Sequence, residues 1–226
     1  MNCPLIRKVS VLGSFVLFLI GVLPMLLAIP PVHATTFGFG CITDNGNGCA
    51  SLAPQLTVDL SDPGGGQALF TFHNAGPIAS SVAGIYWDDN GGVLGSIDSF
   101  TPSAGVAFSA GGSPPSLPSE NTAVPPFTTD FTATADNPKP TNGINPSESL
   151  GITFNLAGLA TFSDVLGDMN DGDLRVGLHV QSIGTVGGSD SLVNTSTPIP
   201  EPATMLLLGS GLIGLAGYGR KKFFKK

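Results

Sequence analysis

The sequence predicts a mainly β protein: an antiparallel β-sandwich with one short helix, flanked by an N-terminal signal peptide and a C-terminal transmembrane helix. Three observations carry that reading. Apolar and polar residues alternate in several short segments, which on a pleated strand gathers the apolar set on one face. Clusters of Gly, Pro and Asn separate those segments, as turns between short strands require. A single stretch, Thr161 to Met169, instead repeats its apolar residues at helical spacing.

Residues 1–34 have the layout of a signal peptide. Arg7 and Lys8 form a basic start, Val9 to Leu27 is almost wholly apolar, and Val32-His33-Ala34 offers small residues for cleavage between Ala34 and Thr35. Cys3 leaves with that segment, so the exported chain keeps Cys41 and Cys49. An even pair in an oxidising compartment predicts a disulfide, closing a loop of turn-forming residues from Ile42 to Gly48. A metal site there would need further soft ligands, and the neighbourhood has none.

The body, residues 35–188, reads as strands in order. Leu56 to Leu60 alternates, Phe70 and Phe72 share a face of Ala68 to Asn74, and Ile85 and Trp87 end a strand broken at Asp88-Asp89-Asn90-Gly91-Gly92. Ser109 to Pro126 (SAGGSPPSLPSENTAVPP) continues neither strand nor helix, so residues 109–126 read as a long loop. Phe127, Thr129, Phe131 and Ala133 share the face of a further strand, and Leu150 to Leu156 alternates cleanly. In the helix, Phe162, Val165, Leu166 and Met169 fall at i, i+3, i+4 and i+7 behind a Thr161-x-x-Asp164 cap. Leu174, Val176, Leu178 and Val180 then alternate with Arg175, Gly177, His179 and Gln181. Residues 189–199 are polar and turn-rich and read as a spacer.

Between Thr35 and Pro200 the only basic residues are Lys139 and Arg175, against 15 of the chain's 16 acidic residues; the sixteenth is Glu201. Such a body repels phosphate backbones, which excludes nucleic acid as a partner. It leaves neutral glycans, cations and basic partners open, and it keeps an exported protein soluble.

Residues 200–226 form a tail. Pro200-Glu201-Pro202 is stiff and extended, because two prolines remove two backbone donors and block a helix from running upstream. Residues 203–218 (ATMLLLGSGLIGLAGY) predict a transmembrane helix of about 24 Å at about 1.5 Å per residue. That is short for a hydrocarbon core of about 30 Å. Arg220, Lys221, Lys222, Lys225 and Lys226 place five basic residues in the last seven and hold that end in the cytoplasm. Triplet, short apolar span and basic end in that order resemble the PEP-CTERM signal of exosortase-sorted bacterial surface proteins. The segments LFTFHNAGPIASSVAGIYWDD and LRVGLHVQSIG also resemble stretches of PEP-CTERM proteins of unassigned function. Exported ice-binding proteins carry the same type of tail.

The resemblance implies passage through the export machinery and transient anchoring in the inner membrane by the C-terminal helix. An exosortase-like membrane protease then cleaves near Pro200–Pro202, and the body is delivered to the cell surface or matrix among extracellular polysaccharide. It implies a Gram-negative-type host that makes exopolysaccharide.

The body carries no sequence signature of catalysis. It has no Gly-x-Ser-x-Gly, no HExxH, and no Gly-rich phosphate loop with a Lys. His73 and His179, the histidines left after signal cleavage, have no nucleophile or orienting acid assigned by any motif. The reading is therefore non-enzymatic and without a cofactor. Three alternatives set tests for the structure. A carbohydrate-binding module would use Tyr86 and Trp87 as a stacking platform, and so needs them exposed. A secreted hydrolase needs two acids facing across a cleft, with Asp88 and Asp89 beside Tyr86-Trp87 as the candidates. An ice-binding body needs a flat array of Thr, which Thr71, Thr129, Thr132 and Thr134 do not display. Asp168, Asn170, Asp171 and Asp173 crowd oxygen donors into one turn and form a weak Ca²⁺ candidate. Their Gly172 stands fifth and Val180 takes the place of an EF-hand's closing Glu.

Overall fold

The structure, a computed structural model, describes residues 34–46 and 48–199. The signal peptide before Ala34, the triplet Pro200-Glu201-Pro202, the helix expected over 203–218 and the basic end from Arg220 to Lys226 lie outside them.

Ten strands form the body: β1 (Thr35–Cys41), β2 (Leu56–Ser61), β3 (Gln67–Asn74), β4 (Ser81–Asp89), β5 (Leu94–Pro102), β6 (Phe108–Ala110), β7 (Phe131–Ala135), β8 (Glu148–Leu156), β9 (Leu174–Ile183) and β10 (Gly188–Pro198). Helices α1 (Cys49–Leu52), α2 (Lys139–Asn142) and α3 (Phe162–Asp171) connect them. All ten strands belong to one sheet in the order β5-β8-β3-β2-β1-β10-β9-β4-β7-β6, and every ladder is antiparallel.

The expected sandwich is corrected in one respect. Its two halves, β5-β8-β3-β2-β1 and β10-β9-β4-β7-β6, are not separate sheets, because the β1–β10 ladder joins them into one. The far edges, β5 and β6, approach without pairing: Gly95, Ser96 and Ile97 share a cavity of about 400 Å³ with Ala110 and Gly111. The sheet is therefore nearly a closed barrel. Its inner faces meet in one core, where Trp87 of one half stands edge-on to Phe154, Phe70 and Phe72 of the other at centroid distances of 4.9, 6.0 and 6.0 Å. Edge-to-face pairs of this kind match the quadrupoles of the rings.

The helix forms as its spacing requires. The Asp164 carboxylate accepts from the Thr161 amide (2.7 Å) and hydroxyl (2.8 Å), and Val165 and Met169 are buried in the core. The disulfide between Cys41 and Cys49 is present, with α-carbons 6.2 Å apart. β1 begins at Thr35, the residue expected to start the exported chain.

Two segments depart from expectation. Residues 189–199 are not a spacer: β10 lies between β1 and β9, held by backbone ladders on both sides. Leu192 is its core residue, and Ser, Thr and Asn fill much of the rest. The long loop expected over 109–126 is present past β6 and runs on through the strand expected at Phe127, so that residues 111–130 are one connection. They form a strap across the outer face of β4 and β9, with Leu117, Ala123 and Phe127 buried against Tyr86. Phe127 thus belongs to the strap, and the strand expected around it begins at Phe131.

Candidate functional site

Four places hold the residues singled out by sequence. The first is the point where the body meets the tail. β10 is paired on both sides only as far as Val193, which faces Gly177 on β9. Beyond it, Asn194 faces Phe39 and Pro198 faces Phe37 on β1. Three residues of β10, Thr195 to Thr197, therefore stand opposite Gly38 alone and arch away from the ladder as a bulge. The Ile199 amide then donates to the Thr36 carbonyl at 2.7 Å, and the next residue is Pro200. A cavity of about 710 Å³ borders this segment, lined by Asn194, Thr195 and Ser196 together with Arg175, Asp171 and Asp173.

The second place is the candidate stacking platform, and it is not one. Tyr86 and Trp87 both have 0% exposure. As neighbours on a strand they point to opposite faces: Trp87 fills the core and Tyr86 lies under the strap. Two glycines make room for the strap. A Cβ on Gly84 would fall 2.6 Å from the Tyr86 hydroxyl oxygen, and one on Gly177 would fall 2.7 Å from Leu117. Burial pushes the pKa of the Tyr86 hydroxyl up.

Beneath the strap lies the only ion pair with a fully buried acid among the described residues, Arg175 with Asp88. Arg175 also donates to the carbonyls of Pro125 (2.7 Å) and Pro126 (2.6 Å), and its guanidinium lies 5.3 Å from the Phe127 ring centroid. Asp88 accepts from the Thr128 amide at 3.0 Å. Asp89 accepts from the amides of Val93 and Leu94, so it closes the β4–β5 turn. Both acids of the hydrolase alternative are thus engaged in holding loops.

The third place is the acidic last turn of α3 with Asp173 just beyond it. Its three aspartates point to different places. Asp168 folds back on the β4–β5 turn, where a Cβ on Gly91 would meet its Oδ2 at 1.9 Å, while Asp171 and Asp173 line the large cavity. Among the described residues no group of three or more His, Cys, Asp or Glu is placed to hold a metal ion. Burial and then the charges of Asp173 and Asp89 raise the pKa of Asp168. The Thr candidates are also dispersed. Thr129 lies in the strap, accepting from the Leu117 amide, and Thr134 is buried.

The fourth place was not anticipated. On the outer face of the other half, His73 Nε2 stands 3.1 Å from Asp59 Oδ2, and the Thr36 hydroxyl donates to Asp59 Oδ1 at 2.5 Å. His73 faces Thr57 across the β2–β3 hairpin, which makes Asp59 its diagonal neighbour. That register follows from the hairpin, so the pairing was available in principle from the alternation of the two strands. The hydrogen bond from His73 is the main cause lowering the pKa of Asp59. The pair opens on a cavity of about 420 Å³ with Ser147, Glu148 and Ser149 on its wall. Among the described residues His73 has no hydrogen bond to a serine, and Ser149 is its ladder partner on β8. His179 stands elsewhere, on the outer face of β9, with its pKa lowered by burial first and by Lys139 second.

Among the described residues no helix is long and apolar enough to cross a membrane. Residues 198–221 match the family model of the PEP-CTERM protein-sorting motif. No curated protein and no solved structure matches the chain. The motif match supports export and sorting by exosortase-type processing machinery. It begins at Pro198, inside the last strand of the body.

Proposed function

We propose that this protein, which carries a PEP-CTERM sorting motif, is a non-enzymatic component of the cell surface or extracellular matrix, held transiently in the inner membrane by its C-terminal helix and released by cleavage near Pro200-Glu201-Pro202. The observation that carries the reading is the direct succession of a folded body and a matched motif. The sheet ends at Pro198, and the motif spans 198–221. The body is built for persistence outside the cell: a disulfide, an aromatic main core, and loops tied by buried carboxylates. The acids offered for hydrolysis serve those ties, which favours a structural role over a catalytic one. An acidic body with Ser- and Thr-rich outer faces suits residence among hydrated neutral polysaccharide, the partner class we assign to it.

The test is the intact mass of the protein recovered from the medium and from the membranes of its host. A released species running from Thr35 to about Pro200 is expected, with any excess mass reporting an attached glycan. Full-length protein confined to membranes would replace this reading with a permanent anchor. Co-sedimentation of the released body with matrix polysaccharide, at low and at high salt, checks the partner class. Binding that depends on low salt would point instead to a basic partner.

A further inference from the structure

A membrane protease that cuts near Pro200 must hold an extended stretch of substrate on both sides of the bond. Upstream of Pro200 that stretch is already committed to the sheet: Pro198 faces Phe37 and the Ile199 amide is bonded to Thr36. Unfolding the whole body is the costlier route, because β10 is laddered to β9 as far as Val193 and to β1 from Leu192 to Asn194, so that Leu192 and Val193 are clamped on both sides. The bulge offers a shorter one. Thr195 to Thr197 make no registered pair with β1, and residues 195–198 are exposed. Their side-chain ties are the long contacts from the Thr195 hydroxyl to the Gly38 and Thr197 carbonyls, at 3.5 and 3.3 Å. Only Pro198 and Ile199 remain, a two-residue clasp closed by the antiparallel bridge of Pro198 to Phe37, by the bond from the Ile199 amide to the Thr36 carbonyl, and by the Ile199 side chain lying over Gly38, where a Cβ would meet its Cδ1 at 3.2 Å.

We propose that Thr195 to Ile199 are the upstream part of the processing substrate, and that they reach the protease by unclasping from β1 while the rest of the body stays folded. The proposal rests on the sorting reading above and adds to it which residues the protease must receive and where they come from. Five residues freed at about 3.3–3.6 Å each give a reach of about 17 Å from Asn194. That distance lets an extended peptide enter an active site without the sheet following it. Exposed terminal segments of this kind open far more often than a core strand does, and proteolysis then tracks the open population. The bulge decides the boundary. Upstream of it Leu192 and Val193 are paired on both sides, and downstream β10 is held on one.

The experiment locks the clasp in the full-length protein in its own host. Thr36→Cys with Ile199→Cys joins the two residues of the last backbone bond, and the second disulfide is verified by the loss of two further hydrogens in the intact mass. Tail removal in a pulse-chase is expected to slow at least tenfold in the oxidised double variant and to recover when reductant is added to the medium. Either single-cysteine variant is expected to process at the wild-type rate. Inserting Gly-Ser-Gly-Ser-Gly after Ile199 in the locked variant supplies a free stretch and is expected to restore processing. A locked protein processed as fast as wild type would overturn the proposal, and so would a slow locked protein that the linker does not rescue. A wild-type chain that keeps its tail would instead overturn the sorting reading on which the proposal stands.

Discussion

The outer face of β2 and β3 and the outer face of β4 and β9 come from similar strands placed in opposite surroundings. On β2 and β3 every second residue is buried and the others are half-exposed, because none of the described residues forms a cover over that side. On β4 every residue from Ser81 to Asp88 is buried, and on β9 the run from Leu174 to Leu178 is buried without a break. The strap makes the difference. It turns Arg175, Gly177 and Tyr86 from surface residues into a second, smaller core. A period-two pattern therefore reports which face of a strand meets the main core, and it is silent about what later sequence lays over the other face.

The largest effect should come from breaking the tie beneath the strap. Arg175→Leu leaves the Asp88 carboxylate, whose side chain is 1% exposed, without its partner. Removing one member of a buried pair costs about 3–5 kcal/mol. Urea denaturation of the exported protein, followed by the fluorescence of its single tryptophan, Trp87, measures that loss. Adding Asp88→Asn to Arg175→Leu should recover a substantial part of it, since no charge is then stranded. An unchanged midpoint in Arg175→Leu would mean that the strap is not anchored there.

Gly177→Val tests the covering itself. Its new side chain would overlap Leu117, so the strap must lift or the strand must shift, at about 1–3 kcal/mol for an overpacked site. Hydrogen exchange should then rise across residues 111–130 and stay low in β2 and β3. A uniform rise would show that strap and sheet unfold together.

That contrast also explains how much of the molecule the sequence disclosed. The helix at Phe162 and the strands around Phe70, Ile152 and Val176 were legible, because their apolar residues face one main core and repeat at the proper period. The disulfide was legible from parity and compartment, and the tail from its order of triplet, apolar run and basic end. β10 was not, because an interior strand is held by its backbone on both sides and needs few apolar side chains. Leu192-Val193 with Thr195 and Thr197 after them was the only signal it offered. Nor was the joining of two layers into one sheet, since the β1–β10 ladder pairs residues at opposite ends of the body. Tyr86 beside Trp87 suggested a platform because sequence shows adjacency and does not show which side the strap will cover.

A pH titration sharpens the comparison through His179, which is half-buried near the covered side and has its pKa lowered, first by burial and then by Lys139. A histidine whose folded value lies below its unfolded value near 6.5 binds fewer protons in the native state. Its contribution is fully present above that value and is lost as pH falls through it. Wild type should therefore lose stability on acidification below about pH 6.5 more steeply than His179→Gln does. Parallel profiles for the two proteins would remove His179 as a cause. Asp59 on the uncovered side acts in a lower window. Its folded pKa is lowered, chiefly by the hydrogen bond from His73, so its contribution is present above 3.8 and fades as pH drops further.

The smallest effect belongs to the uncovered face. Thr71 stands on the outer side of β3, facing Asp59 and Gly151 across the two ladders, and is half-exposed. Thr71→Val keeps the β-branched shape, removes a hydroxyl that water otherwise solvates, and meets no strap. A surface change of this kind is worth within about 0.5 kcal/mol of zero. Thr71→Val and Gly177→Val install the same side chain on outward positions of interior strands, so β propensity alone predicts similar outcomes. Covering predicts a near-neutral change at 71 and a loss at 177. Equal losses at the two sites would mean that the strap adds nothing to what an ordinary sheet surface already demands.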